Sequence, residues 1–266
     1  MRKWVALLLA YLVLGAAAAL HLVGADHAVQ HYGRESVPPG AGFWLGTDHL
    51  GRDVLALTLQ GLRISLQVGT VAAGLAVSLG AALGMAAGWY RGAVDRAAVW
   101  LSSAVAAIPA ILLILAIGFM LGQGYLSAIA AIAAVSWVGV FRVVRAETER
   151  QKTRDYVLAA RGAGAGTLQV LPRHILPNLL PMLLVQLALH FVYAVNTEVI
   201  LSFLGVGVAE QPSWGRTILF GVHDLAEGHP WPLAAVTVAM FGLIFPVQRL
   251  ADHLRDRLDP RAAAPR

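Results

Sequence analysis

Six stretches of this chain are apolar for long enough to bury a helix in lipid, and no other feature limits its fold so strongly. A bilayer core about 30 Å thick is crossed by about 20 apolar helical residues. The stretches run Trp4–Val23, Ile64–Tyr90, Ala98–Leu121, Tyr125–Val144, Leu179–Leu204 and Pro232–Val247. Only 13% of the 266 residues are charged, about half the usual share of a soluble domain, so there are too few polar groups to cover a water-facing surface. The expected fold class is an all-α integral membrane protein with six transmembrane helices.

The first stretch has a basic start, Arg2 and Lys3, and small residues at Ala16–Ala19, as a cleaved signal peptide does. Its apolar run exceeds the 7–15 residues of a signal core, and five more runs follow, so a retained helix is expected. The net charge of +5 does not read as a nucleic-acid surface, because the cations sit in short gaps between apolar runs. Their distribution sets orientation instead. With the N-terminus inside, 16 of the 20 Lys and Arg fall on the inner side, leaving Arg34, Arg52, Arg63 and Arg216 outside. Both termini are then cytoplasmic. The stretches from Gly24 to Arg63 outside and from Arg145 to Asn178 inside are too long for simple turns, and such loops are often functional.

Catalytic and nucleotide signatures are missing. A phosphate-binding loop needs Gly-Lys-Ser/Thr after a strand; the two lysines, Lys3 and Lys152, do not follow glycine, and the run Gly162–Gly166 follows no strand pattern. Any ATP would be hydrolysed by another chain. There are no cysteines. The histidines His21, His27, His31, His49, His223 and His229 gather on the outer side, His27 and His31 at i, i+4, but no carboxylate or thiolate completes a metal set. Neither a metal site nor a cofactor in this chain is expected.

Gly80, Gly84 and Gly88 repeat every four residues on the second stretch, a ridge that lets backbones approach closely, either within the chain or against a second subunit. Pro109 should kink the third. On the fifth, Gln186, His190, Tyr193 and Thr197 fall on one helical face. Polar groups are costly in hydrocarbon, so this stripe faces a translocation pathway or bonds to neighbouring helices; Glu198 points elsewhere. Residues Asp155–Asn178 combine a short amphipathic stretch, a glycine run and two prolines, a layout suited to presenting a compact surface to a cytoplasmic partner.

That inner segment resembles the EAA loop of binding-protein-dependent ABC importer permeases. Ala159, Ala160 and Gly164 match its small positions and Leu176-Pro177 its ending, while Leu158 replaces the leading glutamate and Arg161 is the nearest charge. GTDHLGRDVL, with Gly46, Thr47, Asp48, Gly51, Arg52 and Asp53, is similar to the segment before the second span in dipeptide, oligopeptide and nickel permeases of the C type. ILSFLGVGV (Ile200–Val208), PSWG (Pro212–Gly215) and LRDRLDPR (Leu254–Arg261) extend the resemblance over residues 44–261. Residues 1–43 then hold the first helix and the start of the outside loop, and 262–266 a cytoplasmic tail.

The resemblance implies a MetI-like permease fold in a bacterial or archaeal cytoplasmic membrane. It implies a transport subunit rather than an enzyme, paired with a homologous second permease, two cytoplasmic ATPases that bind ATP and Mg, and an extracytoplasmic solute-binding protein. Asp155–Gln169 would be the coupling segment seated in an ATPase groove. Peptides are the favoured cargo, nickel or a metal chelate the alternative. An ion-coupled secondary transporter is the rival from another class, and Glu198 is its thin support.

Overall fold

The computed structural model describes residues 2–20, 29–40, 42–208 and 211–258, and every named element among them is helical. In chain order these are α1 (Arg2–Ala19), α2 (Val54–Tyr90), α3 (Gly92–Ala106), α4 (Ala110–Leu121), α5 (Tyr125–Gln151), α6 (Asp155–Gly162), α7 (Thr167–Val170), α8 (Leu176–Phe203), α9 (Trp214–Ala226) and α10 (Trp231–Leu258). A π-helical turn, Leu171–Ile175, joins α7 to α8.

The spans differ from the six expected ones. Among the described residues four segments are long and apolar enough to cross a bilayer, Val54–Tyr90, Tyr125–Gln151, Thr167–Phe203 and Trp231–Asp256, and α3 with α4 would together make a fifth. The third stretch is broken rather than kinked, because α3 and α4 meet at 90°. Pro109 has no N–H to continue the helix and its ring pushes Ile108 out of the helical region. The first is a shorter apolar helix, Lys3–Ala19, and Val23, where that stretch was expected to end, lies outside the described residues.

Two ends were placed short by hydropathy. α2 starts at Val54 because Asp53 caps it, its Oδ1 accepting the Leu55 N–H at 2.8 Å. The outer stretch therefore stops at Asp53, and Arg63 lies inside the helix rather than in a loop. At 1.5 Å per residue the 37 residues of α2 extend about 55 Å, far beyond the bilayer core. α5 likewise runs on past Val144 to Gln151 on ion pairs: Arg145 Nη2 donates to Asp95 Oδ2 at 2.7 Å, and Arg150 Nη2 to Glu147 Oε1 at 2.8 Å. With α7 starting at Thr167, the stretch between the two long helical segments shrinks from the expected 145–178 to 152–166.

The frame is the pairing of α2 with α5, the most extensive in the fold. The glycine ridge makes it possible. A Cβ on Gly80 would stand 2.6 Å from Val140 Cβ, one on Gly84 2.8 Å from Val144 Cβ, and one on Gly88 2.6 Å from the Arg145 carbonyl oxygen. The ridge is thus occupied within the chain. α8 packs on the other side of α2, with α10 and α9 against it. Trp214, fully buried at the start of α9, donates its indole N–H to the Thr58 carbonyl at 2.9 Å and seats on Gly61.

Candidate functional site

α6 is short and its end is specified by its own sequence. Ala163 N–H bonds to Ala159 O, Gly164 N–H to Arg161 O at 3.0 Å and Ala165 N–H to Ala160 O at 3.0 Å. The last two bonds, with Gly164 at φ 91°, form a Schellman close, in which glycine tolerates the left-handed backbone that a Cβ resists. Asp155 lies in the first turn, where the helix dipole favours a carboxylate.

Beneath α6 the segment is anchored by apolar burial. Val157, Val170 and Ile175 are fully buried in one cluster with Val140, Val144 and Leu179, and Leu176 packs against it. Pro177 sits exposed in the first turn of α8. Outward, Leu158 is 51% and Leu168 87% exposed, with Tyr156 and Ala159 also exposed and Ala160 half-buried. An apolar knob therefore projects from a buried base.

Trp89, at the inner end of α2, locks that base to the bundle. Its indole N–H donates to Thr167 Oγ1 at 3.1 Å, and its carbonyl accepts from Lys152 Nζ. Lys152 and Arg161 lie over its ring at 5.2 and 5.7 Å, a cation–π arrangement. Burial and the neighbouring guanidinium groups of Arg91 and Arg161 push the Lys152 ammonium below its usual range. Arg91, in turn, pairs with Glu149.

The GTDHLGRD segment, just before α2, folds into a small plug held against α9 and α10. Thr47 Oγ1 donates to Arg34 O at 2.6 Å and accepts the Val37 N–H at 2.8 Å. Asp48 accepts the Leu50 and Arg52 N–H groups and, at 2.6–2.7 Å, the Arg52 guanidinium. Gly46 (φ 77°) and Gly51 (φ 72°) hold left-handed backbone, and a Cβ on Gly51 would fall 2.6 Å from the His31 carbonyl. Trp231 Nε1 bonds to the Thr47 carbonyl at 2.8 Å, tying the plug to α10. His49 Nδ1 lies 2.8 Å from Asp224 Oδ1, tying it to α9. Burial raises the Asp224 carboxyl above its usual range, against the opposing pull of His49.

The polar stripe on α8 divides. Gln186 lines an open cleft facing α5, and Tyr193 is 38% exposed. His190 is half-buried between the Gln186 carbonyl (2.9 Å from Nδ1) and the Ser136 carbonyl (3.2 Å from Nε2), and buried Thr197 bonds back to Tyr193 O. Two of the four thus serve helix packing and two stay open. Glu198 points elsewhere, as expected from the helical wheel, and is fully buried; Ser202 Oγ donates to its Oε1 at 2.7 Å and Ser65 Oγ to its Oε2 at 3.5 Å.

The other short segments also have local reasons. Ser213 of PSWG caps α9, accepting the Arg216 N–H at 3.4 Å, and a Cβ on Gly215 would overlap the Val199 carbonyl. Gly205 (φ 78°) and Gly207 shape the turn after Ser202. Among the described residues no group of three His, Asp or Glu converges as for a metal ion. His31 Nδ1 is 3.1 Å from the Gly51 carbonyl; His21 and His27 lie outside the described residues. Sequence reasoning missed Trp89, Thr167, Lys152 and Asp224. A tryptophan at the end of an apolar run is a usable sign of an interfacial anchor, but its partners come from 63 and 78 positions away.

Residues 80–260 match the family described as the binding-protein-dependent transport system inner membrane component. The chain is 34% identical to the dipeptide transport system permease protein of Bacillus subtilis over 228 residues, 85% of this chain and 71% of that one. It is 40% identical to a putative peptide transport system permease protein of Brucella suis over 225 residues (84% and 75%), and 33% identical to the oligopeptide transport system permease protein of Bacillus subtilis over 241 residues (89% and 77%). Its fold is similar to a chain in the crystal structure of an amino acid ABC transporter with histidines, at a TM-score of 0.57 and 17% identity, covering 76% of this chain and 94% of that one. These relatives are transport subunits, and the helical frame, the plug and the capped inner segment all occur in a chain that belongs to the family of binding-protein-dependent transport system inner membrane components.

Proposed function

We propose that this chain is one of two permease subunits of an ATP-driven importer in a bacterial cytoplasmic membrane, carrying di- and oligopeptides delivered by an extracytoplasmic binding protein. The observation that carries the reading is the inner segment: an apolar knob, Leu158 and Leu168, on a base closed by Gly164 and clamped to α2 through Trp89. Partner ATPases bind ATP and Mg and receive the Asp155–Gln169 segment in a groove. Burying the two leucines supplies several kcal/mol of apolar contact, which stands in for an ion pair that Leu158 cannot make. Movement of the closing ATPases then passes through Thr167 and Arg161 to α2 and opens the pathway inward. The inner placement of most Lys and Arg supports cytoplasmic termini. The names of the relatives support peptides as cargo.

The test is uptake by a strain deleted for this chain, with labelled dipeptide and labelled nickel compared side by side and with complementation. Selective loss of dipeptide uptake is expected. Selective loss of nickel uptake would replace the cargo, and a complex purified without any ATPase would sink the importer reading itself.

A further inference from the structure

We propose that a cleft on the inner side of this permease is a binding site for the charged termini of a short peptide, through which released cargo acts back on the docking segment. The inference rests on the importer reading above. The cleft, of about 580 Å³, opens between α5, α8 and the end of α10 and is lined among others by Glu147, Arg150, Asn178, Met182, Gln186 and Arg255. Its volume falls within the 300–1,000 Å³ typical of small-molecule sites. A neighbouring cleft of about 540 Å³ adds Arg142 and shares Glu147, Arg150 and Met182, so these side chains form the partition between two openings.

The lining chemistry is that of a zwitterion. Arg150 and Arg255 offer planar guanidinium forks that match a carboxylate. Glu147 offers a carboxylate to an ammonium group, Asn178 and Gln186 offer amides to a peptide bond, and Met182 an adaptable apolar contact. The wall is also wired to α6. Asn178 Nδ2 lies 3.4 Å from Tyr156 Oη, and Tyr156 Oη donates to Gln151 Oε1 at 3.2 Å. Gln151 Nε2 and Arg150 Nη2 both donate to Glu147 Oε1, at 3.0 and 2.8 Å. A peptide carboxylate that draws Arg150 from Glu147 frees one end of this chain of bonds, which passes through Tyr156 on α6 before it returns to the cleft wall at Asn178.

The experiment uses the assembled complex with its second permease and ATPases, in phosphatidylcholine nanodiscs without binding protein. Equilibrium binding of labelled alanyl-alanine and the rate of ATP hydrolysis are read together. Alanyl-alanine is expected to bind in the millimolar range and to slow hydrolysis at least twofold, while its C-terminal amide binds at least tenfold more weakly. Arg255→Gln, at an exposed position, is expected to weaken alanyl-alanine about tenfold and to leave the amide unchanged. Tyr156→Phe is expected to bind the dipeptide within twofold of the parent and to lose the slowing.

Equal affinity for the acid and the amide would overturn the site. So would unchanged binding in both Arg255→Gln and Arg150→Gln, or full displacement of the dipeptide by phosphatidylglycerol added to the discs, which would assign the guanidiniums to a lipid headgroup. Slowing that persists in Tyr156→Phe would overturn the link to the docking helix. An assembled, transporting complex that ignores the peptide terminus refutes this site alone, a result distinct from failure of the ATPases to assemble.

Discussion

Trp89 at the inner end of α2 donates its indole N–H to Thr167 Oγ1, 3.1 Å away, at the start of α7. These residues are 78 positions apart, and the bond ties the segment between α5 and α8 to the end of α2.

Removing the tryptophan should separate ATP hydrolysis from transport. Trp89→Leu loses the hydrogen bond and both cation–π contacts, and dipeptide uptake per ATP hydrolysed in proteoliposomes is expected to fall about tenfold with ATPase still bound. Thr167→Val loses the hydrogen bond alone, worth about 1 kcal/mol, and should cost only a few-fold. An unchanged transport-to-hydrolysis ratio in both would show that α2 receives no motion through this contact.

Gly164→Asp should abolish transport while membrane insertion persists, because it forces a Cβ into the left-handed close of α6 at a cost of about 1–2 kcal/mol and puts a charge at the docking surface. Gly166→Ala is the control: its φ is −76° and its Cβ would meet open space. Retention of ATPase on purification and dipeptide uptake check the pair, and loss in both would disqualify the capping explanation.

On the α2–α5 seam, Gly84→Val is expected to lower thermal stability in detergent strongly, by several kcal/mol, since its Cβ alone meets Val144 Cβ at 2.8 Å and the neighbours are backbone that cannot yield. Gly74→Ala, on the same helix with nothing within 4 Å, should be neutral or slightly stabilising. A thermal midpoint for Gly84→Val equal to that of the parent would mean that the seam is loose.

Asp224 gives a pH dependence of known sign. Its carboxyl is raised above the ordinary 3.8, chiefly by burial, while His49 opposes the shift. A folded-state value above the unfolded one means stability present below the unfolded value and lost as pH rises through the folded one. Asp224→Asn should therefore gain on the parent as pH climbs from below 4 towards neutrality, read as the difference in thermal midpoint. A difference that shrinks over that window would mean that His49 outweighs burial.

Gly164 and Asp53 act on backbone groups within four residues of themselves, yet their capping roles went unread, because both stood only as positions in a family motif and α2 was expected to begin at Ile64. The Gly80, Gly84 and Gly88 ridge was readable because its spacing along the chain is its spacing on the helix, but its partner was not: nothing on α2 says that Val140 and Val144 fill it. The same limit explains the stripe on α8, where helical periodicity placed His190 and Gln186 on one face while Ser136 of α5 decided that one is bonded and the other open.

Helix boundaries failed where polar residues continue a helix beyond lipid. Arg145 and Asp95, 50 positions apart, extend α5 by an ion pair that a hydropathy window counts as a break. By itself, then, the sequence determined that the chain lives in a membrane and that its long apolar stretches are helical, because burial in lipid is decided residue by residue along the chain. Only the tertiary structure decided that Trp89 bonds to Thr167 at the start of α7, that the GTDHLGRD segment is tied to α10 and α9 through Trp231 and Asp224, and that Arg150 and Arg255 face one cleft. Those arrangements depend on side chains brought together from distant positions, and their partners are set by how the helices pack.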